Sequence, residues 1–276
     1  LSQAVGRLRL SLERGFYDGI FCISNYLIEF YKNAGFAEKK LFLVPSTVDT
    51  ARFNIEMKSP LPYDYIAYCG SLTVMKDGVD ILIESFSKIC GKHSNINLVL
   101  IGAGDTVEEE EYVRNLVQTL KLESRIIFLG LLPRTEVPKN LLNAKILALA
   151  RPKSKVADAG FPSKLTEYLS TGNPVVVTSV GEIPYYLKDN EHAFLAEPDN
   201  AEDFAGKLDF VLSGEFVSSM VTQRFDGDSL VAGPSSPSYA TWNCRISKDL
   251  GAGYSVFVAA NNLLDFVQDD WLVEEV

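Results

Sequence analysis

From Asp64 to Ser213 the sequence alternates short apolar runs with segments whose apolar residues return every three or four positions, and this rhythm constrains the fold more than any single motif. A run of about five apolar residues suits a strand buried on both faces, and a helix between two such runs lets the next strand start parallel to the last. The runs fall at 65–69, 97–101, 125–129, 145–150, 174–178 and 192–196. Helical spacing falls between and after them, at 78–90, 109–120, 135–143, 162–171, 182–187 and 201–212, most clearly in Val79, Leu82, Ile83, Phe86 and Ile89. The pattern predicts an α/β domain over 62–213, a Rossmann-like doubly wound parallel sheet with helices on both faces.

Ahead of this domain the sequence predicts a strand at 19–23, a helix at 25–33 and a strand at 41–44 closed by Pro45, an incomplete N-terminal βα piece. Residues 46–64 read as a linker stiffened by Pro60 and Pro62, so 1–61 is expected to be the end of a preceding domain plus that linker. Leu1-Ser2-Gln3-Ala4 has neither an initiator Met nor a basic-then-apolar pattern, and the chain is expected to be a piece of a longer protein. Past Ser213 the rhythm stops: 214–238 is rich in Ser, Gly and Pro and reads as a linker, while 239–247 and 254–260 predict a C-terminal β-hairpin.

Charge narrows the function. A net charge of −10 argues against a nucleic-acid partner, because neutralising phosphates along a strand needs clustered Lys and Arg. Of that −10, −6 lies from Gly214 onward, where nine acidic residues face three basic ones, which sets the tail apart. The longest apolar stretches, 96–101 and 126–132, fall well short of the roughly 20 residues of a membrane-spanning helix, and none is expected. Cys22, Cys69, Cys90 and Cys244 stand in no metal-ligand spacing, which argues for a reducing compartment and no bound metal. His93 and His192 have no Ser or Cys nucleophile motif nearby. Gly102-Ala103-Gly104-Asp105 follows a strand, as a dinucleotide fingerprint does, but the third glycine position is Val107, and a tight turn before a closely packed helix explains it as well.

The chemically informative stretch is Ala159-Gly160-Phe161-Pro162-Ser163-Lys164-Leu165-Thr166-Glu167-Tyr168-Leu169-Ser170-Thr171-Gly172-Asn173-Pro174-Val175-Val176-Val177. Pro at a first helical position marks a helix start, and the amides of Ser163, Lys164 and Leu165 then point at whatever lies above the carboxyl edge of the sheet. Such a tip, with Lys164 beside it, suits a diphosphate, and Glu167 one turn further in could accept the hydroxyls of a ribose. The same residues also fit a plain surface helix on which Lys164 and Glu167 pair at i,i+3. Residue types alone leave both readings open.

The wording of the stretch resembles the group-1 family of retaining GT-B glycosyltransferases, in the variant running Gly-Phe-Pro-Ser-Lys-Leu-x-Glu-Tyr-Leu and then Gly-x-Pro-Val-Val. Further family-like pieces stand in order: Ile23-Ser24-Asn25-Tyr26, Val44-Pro45-Ser46-Thr47-Val48-Asp49-Thr50-Ala51-Arg52-Phe53, Gly70-Ser71-Leu72 with Lys76-Asp77-Gly78-Val79-Asp80, and Gly181-Glu182-Ile183-Pro184. The resemblance covers about residues 15 to 213 and implies the C-terminal, nucleotide-sugar-binding domain of an enzyme that moves a glycosyl group from a nucleoside-diphosphate sugar to an acceptor it does not specify.

It further implies that Glu167, as the second Glu of a Glu-x7-Glu motif, holds the ribose, while the first Glu position falls on Ala159 and the usual phosphate-binding Arg position on Ser71. The implied donor-binding set is Gly70, Ser71, Lys76, Gly102, Gly104, Phe161, Pro162, Ser163, Lys164, Leu165 and Glu167, with Arg151 and Lys153 as weaker cationic candidates. No metal or cofactor is implied, since helix-tip amides and lysine can meet the charge of the departing diphosphate. Only the end of the acceptor-binding domain is implied to be present, so the chain alone is expected to be inactive, working in the cytoplasm or at the inner membrane's cytoplasmic side. A non-catalytic nucleotide-binding module is the alternative. The tail, in Pro237-Ser238-Tyr239-Ala240-Thr241-Trp242-Asn243, Asn261-Asn262-Leu263-Leu264-Asp265 and Gln268-Asp269-Asp270-Trp271, resembles the closing strands of a TonB-dependent outer-membrane receptor, which would make it foreign to the transferase.

Overall fold

The computed structural model describes residues 16–54 and 58–213, and in the tail the backbone of six strands. The N-terminal unit is β1 (Ile20–Cys22), α1 (Asn25–Asn33) and β2 (Leu41–Leu43), with β1 and β2 parallel. There follow β3 (Asp64–Cys69), the one-turn α2 (Val74–Asp77), α3 (Val79–Ile89), β4 (Ile96–Ile101), α4 (Val107–Thr119), β5 (Ile126–Gly130), α5 (Val137–Leu142) and β6 (Ile146–Leu149). The second half adds α6 (Lys155–Ala159), α7 (Ser163–Leu169), β7 (Val175–Thr178), α8 (Ile183–Tyr186), β8 (Phe194–Ala196) and α9 (Ala201–Leu212).

The six strands β3 to β8 form one parallel sheet in the order β5-β4-β3-β6-β7-β8. This is the doubly wound α/β arrangement, and the order reverses between β3 and β6, where connections leave in opposite directions and open a crevice above the carboxyl ends of the strands. All residues of β6 and β7 are buried, as expected of a parallel sheet covered on both faces. On α3 the five apolar residues of the sequence pattern are all buried. Each large side chain so removed from water contributes roughly 1.5–3 kcal/mol, which is what holds a helix of this length in place.

Helix starts follow local chemistry. The Thr106 hydroxyl accepts from the Glu109 amide and Asn200 Oδ1 from those of Glu202 and Asp203, while three glutamates in the first turn of α4 complement its dipole. The α1 and α9 bounds coincide with the sequence reading, and other bounds shift by a few residues. Pro162, expected inside the helix, lies at the N-cap of α7, with the extended ψ of 117°. The short helices α2 and α6 have no counterpart in the sequence reading, whereas α8, equally short, falls within the expected 182–187.

Two expectations need correction. Residues 46–64 are not a passive linker, since Thr50–Phe53 forms a 3-10 turn and Phe53 is buried in the sheet's core with Val48 and Leu61 packed against it. The stretch 214–238 is not a linker throughout, for it holds strands Glu215–Val217, Val221–Asp226 and Ser229–Ser235. Its Ser, Gly and Pro content masks the β-branched and aromatic residues among them, and Asp226-Gly227-Asp228 carries a hairpin signal that the composition hides. Val221–Asp226 pairs antiparallel with Ser229–Ser235, Glu215–Val217 with Tyr239–Thr241, and Cys244–Gly251 with Tyr254–Ala260; the expected hairpin is thus met in part, since its first strand, read as 239–247, is split, 239–241 pairing with 215–217 and the hairpin strand running on through the expected loop to Gly251. Of the segments likened to receptor strands, 237–238, 242–243 and 261–271 lie outside the described residues.

Candidate functional site

The crevice at the order reversal holds a cleft of about 500 Å³, lined by Arg151 from the loop after β6 and walled by α2, α6 and the start of α7. Four cations line it, Lys76, Arg151, Lys155 and Lys164, against the single carboxylate of Asp77. In a chain of net charge −10 this is a local reversal of sign, and low-dielectric walls concentrate its field. Phe161, Pro162 and Ser163 form the adjoining wall, with Ile23 reaching in from the N-terminal unit.

Lys164 is fixed by a buried network. Its ammonium donates to Asp77 Oδ2 at 2.6 Å and to the Tyr68 hydroxyl at 3.2 Å, while the Tyr68 hydroxyl lies 3.2 Å from the same carboxylate oxygen and 2.5 Å from the Ser71 carbonyl. Asp77 is 2% exposed. Burial lowers the Lys164 pKa from its ordinary value despite the opposing pull of Asp77, with Lys76 and Arg151 adding to the lowering. The i,i+3 pair with Glu167 is therefore not formed.

Glu167 instead accepts from Arg52 Nη1 at 2.7 Å, from the 3-10 turn ahead of β3. Tyr168, fully buried, accepts at its hydroxyl from the Cys69 amide at 2.7 Å and so locks α7 onto the end of β3. That lock explains Gly70: a Cβ there would collide with the end of the Lys164 side chain. A Cβ on Gly102 would collide with the Gly70 carbonyl, so the two strand ends approach as closely as they do because both residues are glycine. Burial, with the Glu167 carboxylate next in effect, pushes the Cys69 thiol up to about 11, which leaves it unreactive.

Of the residues singled out from the sequence, Lys76, Phe161, Pro162, Ser163 and Lys164 line the cleft, whereas Gly70, Ser71 and Gly102 do not: Gly70 stands against the Lys164 side chain, the Ser71 carbonyl accepts from the Tyr68 hydroxyl, and Gly102 abuts the Gly70 carbonyl. Leu165 does not: its side chain is fully buried and its amide, expected to be free, donates to the Pro162 carbonyl at 3.0 Å. Gly104 is set back, its Cβ position facing the Thr106 carbonyl and the Glu110 amide on the next turn. Glu167 stands beside the cleft, one turn along α7. Lys153 is exposed, with its amide on the Asp199 carboxylate, whereas Arg151 is buried and donates through Nε to the Lys76 carbonyl. Asp77, Lys155 and Arg52 are not among the site residues singled out from the sequence, although Arg52 and Asp77 stand in two of the family-like pieces and the charge run Arg151-Pro152-Lys153-Ser154-Lys155 is a visible signal. Ala159, at the first Glu position, lines the cleft, and its carbonyl accepts from the Ser24 hydroxyl at 2.7 Å.

The N-terminal unit is attached at the same place. The buried Glu182 carboxylate accepts from the Asn25 amide at 3.1 Å and from Asn25 Nδ2 at 2.8 Å, at the start of α1. Among the described residues no three His, Cys, Asp or Glu side chains converge as a metal set, and no helix is long and apolar enough to cross a membrane.

Fold and cleft together define a GT-B-type, Rossmann-like domain with a cation-lined cleft at its switch point. Residues 51–224 match the glycosyl transferases group 1 family, and the chain belongs to that family. The match runs past Ser213, where the sequence rhythm ends. The chain is 30% identical over 166 residues to a phosphatidylinositol N-acetylglucosaminyltransferase component of Arabidopsis thaliana, covering 60% of this chain and 35% of the relative. It is 26% identical over 191 residues to mannosylfructose-phosphate synthase of Agrobacterium fabrum, covering 64% and 40%. The chain thus spans well under half the length of these relatives. Anabaena HepE, crystallised in complex with UDP and glucose, superposes with a TM-score of 0.63 at 19% identity over 77% of this chain and 58% of that one. The C-terminal domain of the group 1 protein LpcC from Francisella tularensis superposes at 0.52 with 24% identity, covering 60% of this chain and 88% of that domain.

Proposed function

We propose that this chain carries the nucleotide-sugar-binding half of a retaining GT-B glycosyltransferase, which moves a glycosyl group from a nucleoside-diphosphate sugar to an acceptor bound elsewhere. The observation that carries the reading is the convergence of Lys76, Arg151, Lys155 and Lys164 on the switch-point cleft. In this reading Lys164 and the amides of Ser163 and Lys164 hold the diphosphate. Helix α7 is only two turns long, so side-chain charge contributes more than the helix dipole. Arg151 and Lys155 supply the positive charge that Ser71 lacks, Glu167 takes the ribose hydroxyls, and Gly70 with Gly102 leaves room for close approach. Charge stabilisation by these cations leaves no task for a metal or cofactor. The free thiols of Cys22, Cys69 and Cys90 fit work in a reducing, cytoplasmic setting.

Calorimetric titration of the chain with UDP, GDP and ADP tests the site. Binding of at least one is expected, weakened in Glu167→Ala by about 1.5–3 kcal/mol, the worth of hydrogen bonds to a charged group. Binding of none overturns the reading. The chain alone transfers no sugar, because reaction needs a second wall of the cleft; robust transfer by the isolated chain refutes this. In a complete two-domain enzyme carrying this half, NMR of the product should show the donor's anomeric configuration retained. Ala159, which offers no carboxylate, favours the second reading, a nucleotide-binding module without transfer, and a product assay with Glu167→Ala as control separates the two.

A further inference from the structure

We infer that Arg52 is a positioning residue that holds Glu167 ready for the ribose and ties it to the loop after β5; this rests on the reading of Glu167 just given. Arg52 lies 115 positions from Glu167 in sequence, on the 3-10 turn that precedes β3, outside every segment that the sequence marks for donor binding. Its Nη1 donates to Glu167 Oε1 at 2.7 Å and its Nη2 to the Arg134 carbonyl at 3.2 Å. The turn is anchored, since Phe53 is 5% exposed in the core and the guanidinium stands 5.4 Å from its ring centre.

A glutamate on an exposed helix face samples several rotamers, and a ligand that needs one of them loses affinity in proportion to how rarely it occurs. The pair is shielded, with side chains 18% and 28% exposed, so solvent screens it less than a surface pair. Arginine suits the task because its planar fork bonds two acceptors in fixed directions, here a carboxylate oxygen and a backbone carbonyl from a different segment. The contact takes Oε1 and leaves Oε2 to a ligand hydroxyl.

The test titrates the full chain and its Arg52→Gln, Glu167→Gln and double variants with three probes: the nucleoside diphosphate that binds best, its 2′-deoxy form, and pyrophosphate. Arg52→Gln should weaken the ribonucleotide about fivefold, within the coupling range of contacting residues. It should leave pyrophosphate unchanged and reduce the preference for the ribo over the 2′-deoxy ligand, and the double variant should bind like Glu167→Gln. Circular dichroism establishes that each variant is folded, and Arg52→Lys, which keeps the charge but loses the fork, is titrated alongside and should fall between parent and Arg52→Gln. Three outcomes overturn the inference while leaving the donor site in place: equal weakening of pyrophosphate, multiplicative effects in the double variant, or tighter ribonucleotide binding by Arg52→Gln. A parent chain that binds no nucleoside diphosphate brings down the donor-site reading itself.

Discussion

Lys164 and Asp77 form a buried pair whose two halves should respond differently to removal. Lys164→Ala leaves a carboxylate that is 2% exposed, with the Tyr68 hydroxyl at 3.2 Å, the Thr73 hydroxyl at 3.5 Å and the charge of the buried Arg151 to compensate it. Breaking a buried pair typically costs 3–5 kcal/mol, and those two hydroxyls with the open cleft above put the expected loss near the lower end, about 3 kcal/mol. Asp77→Asn keeps a polar group against an ammonium that is 16% exposed and can reach cleft water, and should cost about 1 kcal/mol. The double variant should be more stable than Lys164→Ala alone, because the buried carboxylate is then gone, with the gain limited by the buried Arg151, which loses the Asp77 charge it faces. Ligand affinity ranks the other way: Asp77→Asn binds a nucleoside diphosphate at least as well as the parent, its lysine no longer shared, while Lys164→Ala binds worse. Urea unfolding followed by circular dichroism gives the stabilities, and calorimetry gives the affinities. If Lys164→Ala unfolds within about 0.5 kcal/mol of the parent, as surface substitutions do, the burial argument is wrong.

Nucleoside diphosphate affinity should fall as pH rises into the alkaline range, and should begin to fall at a lower pH than for an ordinary lysine, because the binding form of Lys164 is the ammonium and burial lowers its pKa; titrations across alkaline pH should lose this step in Lys164→Gln. Gly102→Ala should cost about 2–3 kcal/mol, since its φ of 135° is strained for alanine and the new Cβ meets the Gly70 carbonyl, whereas Gly206→Ala in the open middle of α9 should gain about 0.5–1 kcal/mol in thermal unfolding. Limited proteolysis should cut within 214–238 and leave a core ending near Ser213, where α9 terminates. The trimmed core should melt within about 3 °C of the full chain; a markedly lower midpoint would show that the tail is an integral part of the fold and not foreign to it.

Much of the fold is legible in the sequence because its cause is local. Strands buried on both faces must be continuous apolar runs, and helices that cover them must repeat their apolar residues at the helical period, so β3 to β8 can be placed and α1 and α9 bounded to the residue. The Phe-Pro-Ser-Lys segment is likewise legible as a helix start next to a lysine. Short elements are less legible: α2, α6 and the turn at Thr50–Phe53 are each too short to repeat anything, and they contribute Lys76 and Asp77, Lys155, and Arg52.

The partners of the charged groups were decided only by tertiary structure. Lys164 and Glu167 sit at pairing distance along one helix, yet Lys164 bonds Asp77 from 87 positions away and Glu167 bonds Arg52 from 115. The choice follows from the strand order, which brings the carboxyl end of β3 and the loop after β6 to either side of α7 and offers Lys164 a carboxylate in a drier place than the helix surface. Sequence by itself determined which segments become strand or helix and where an anion could be met. The order of strands in the sheet determined which charges face the cleft, because that order is set by packing among distant segments and leaves no period in the chain.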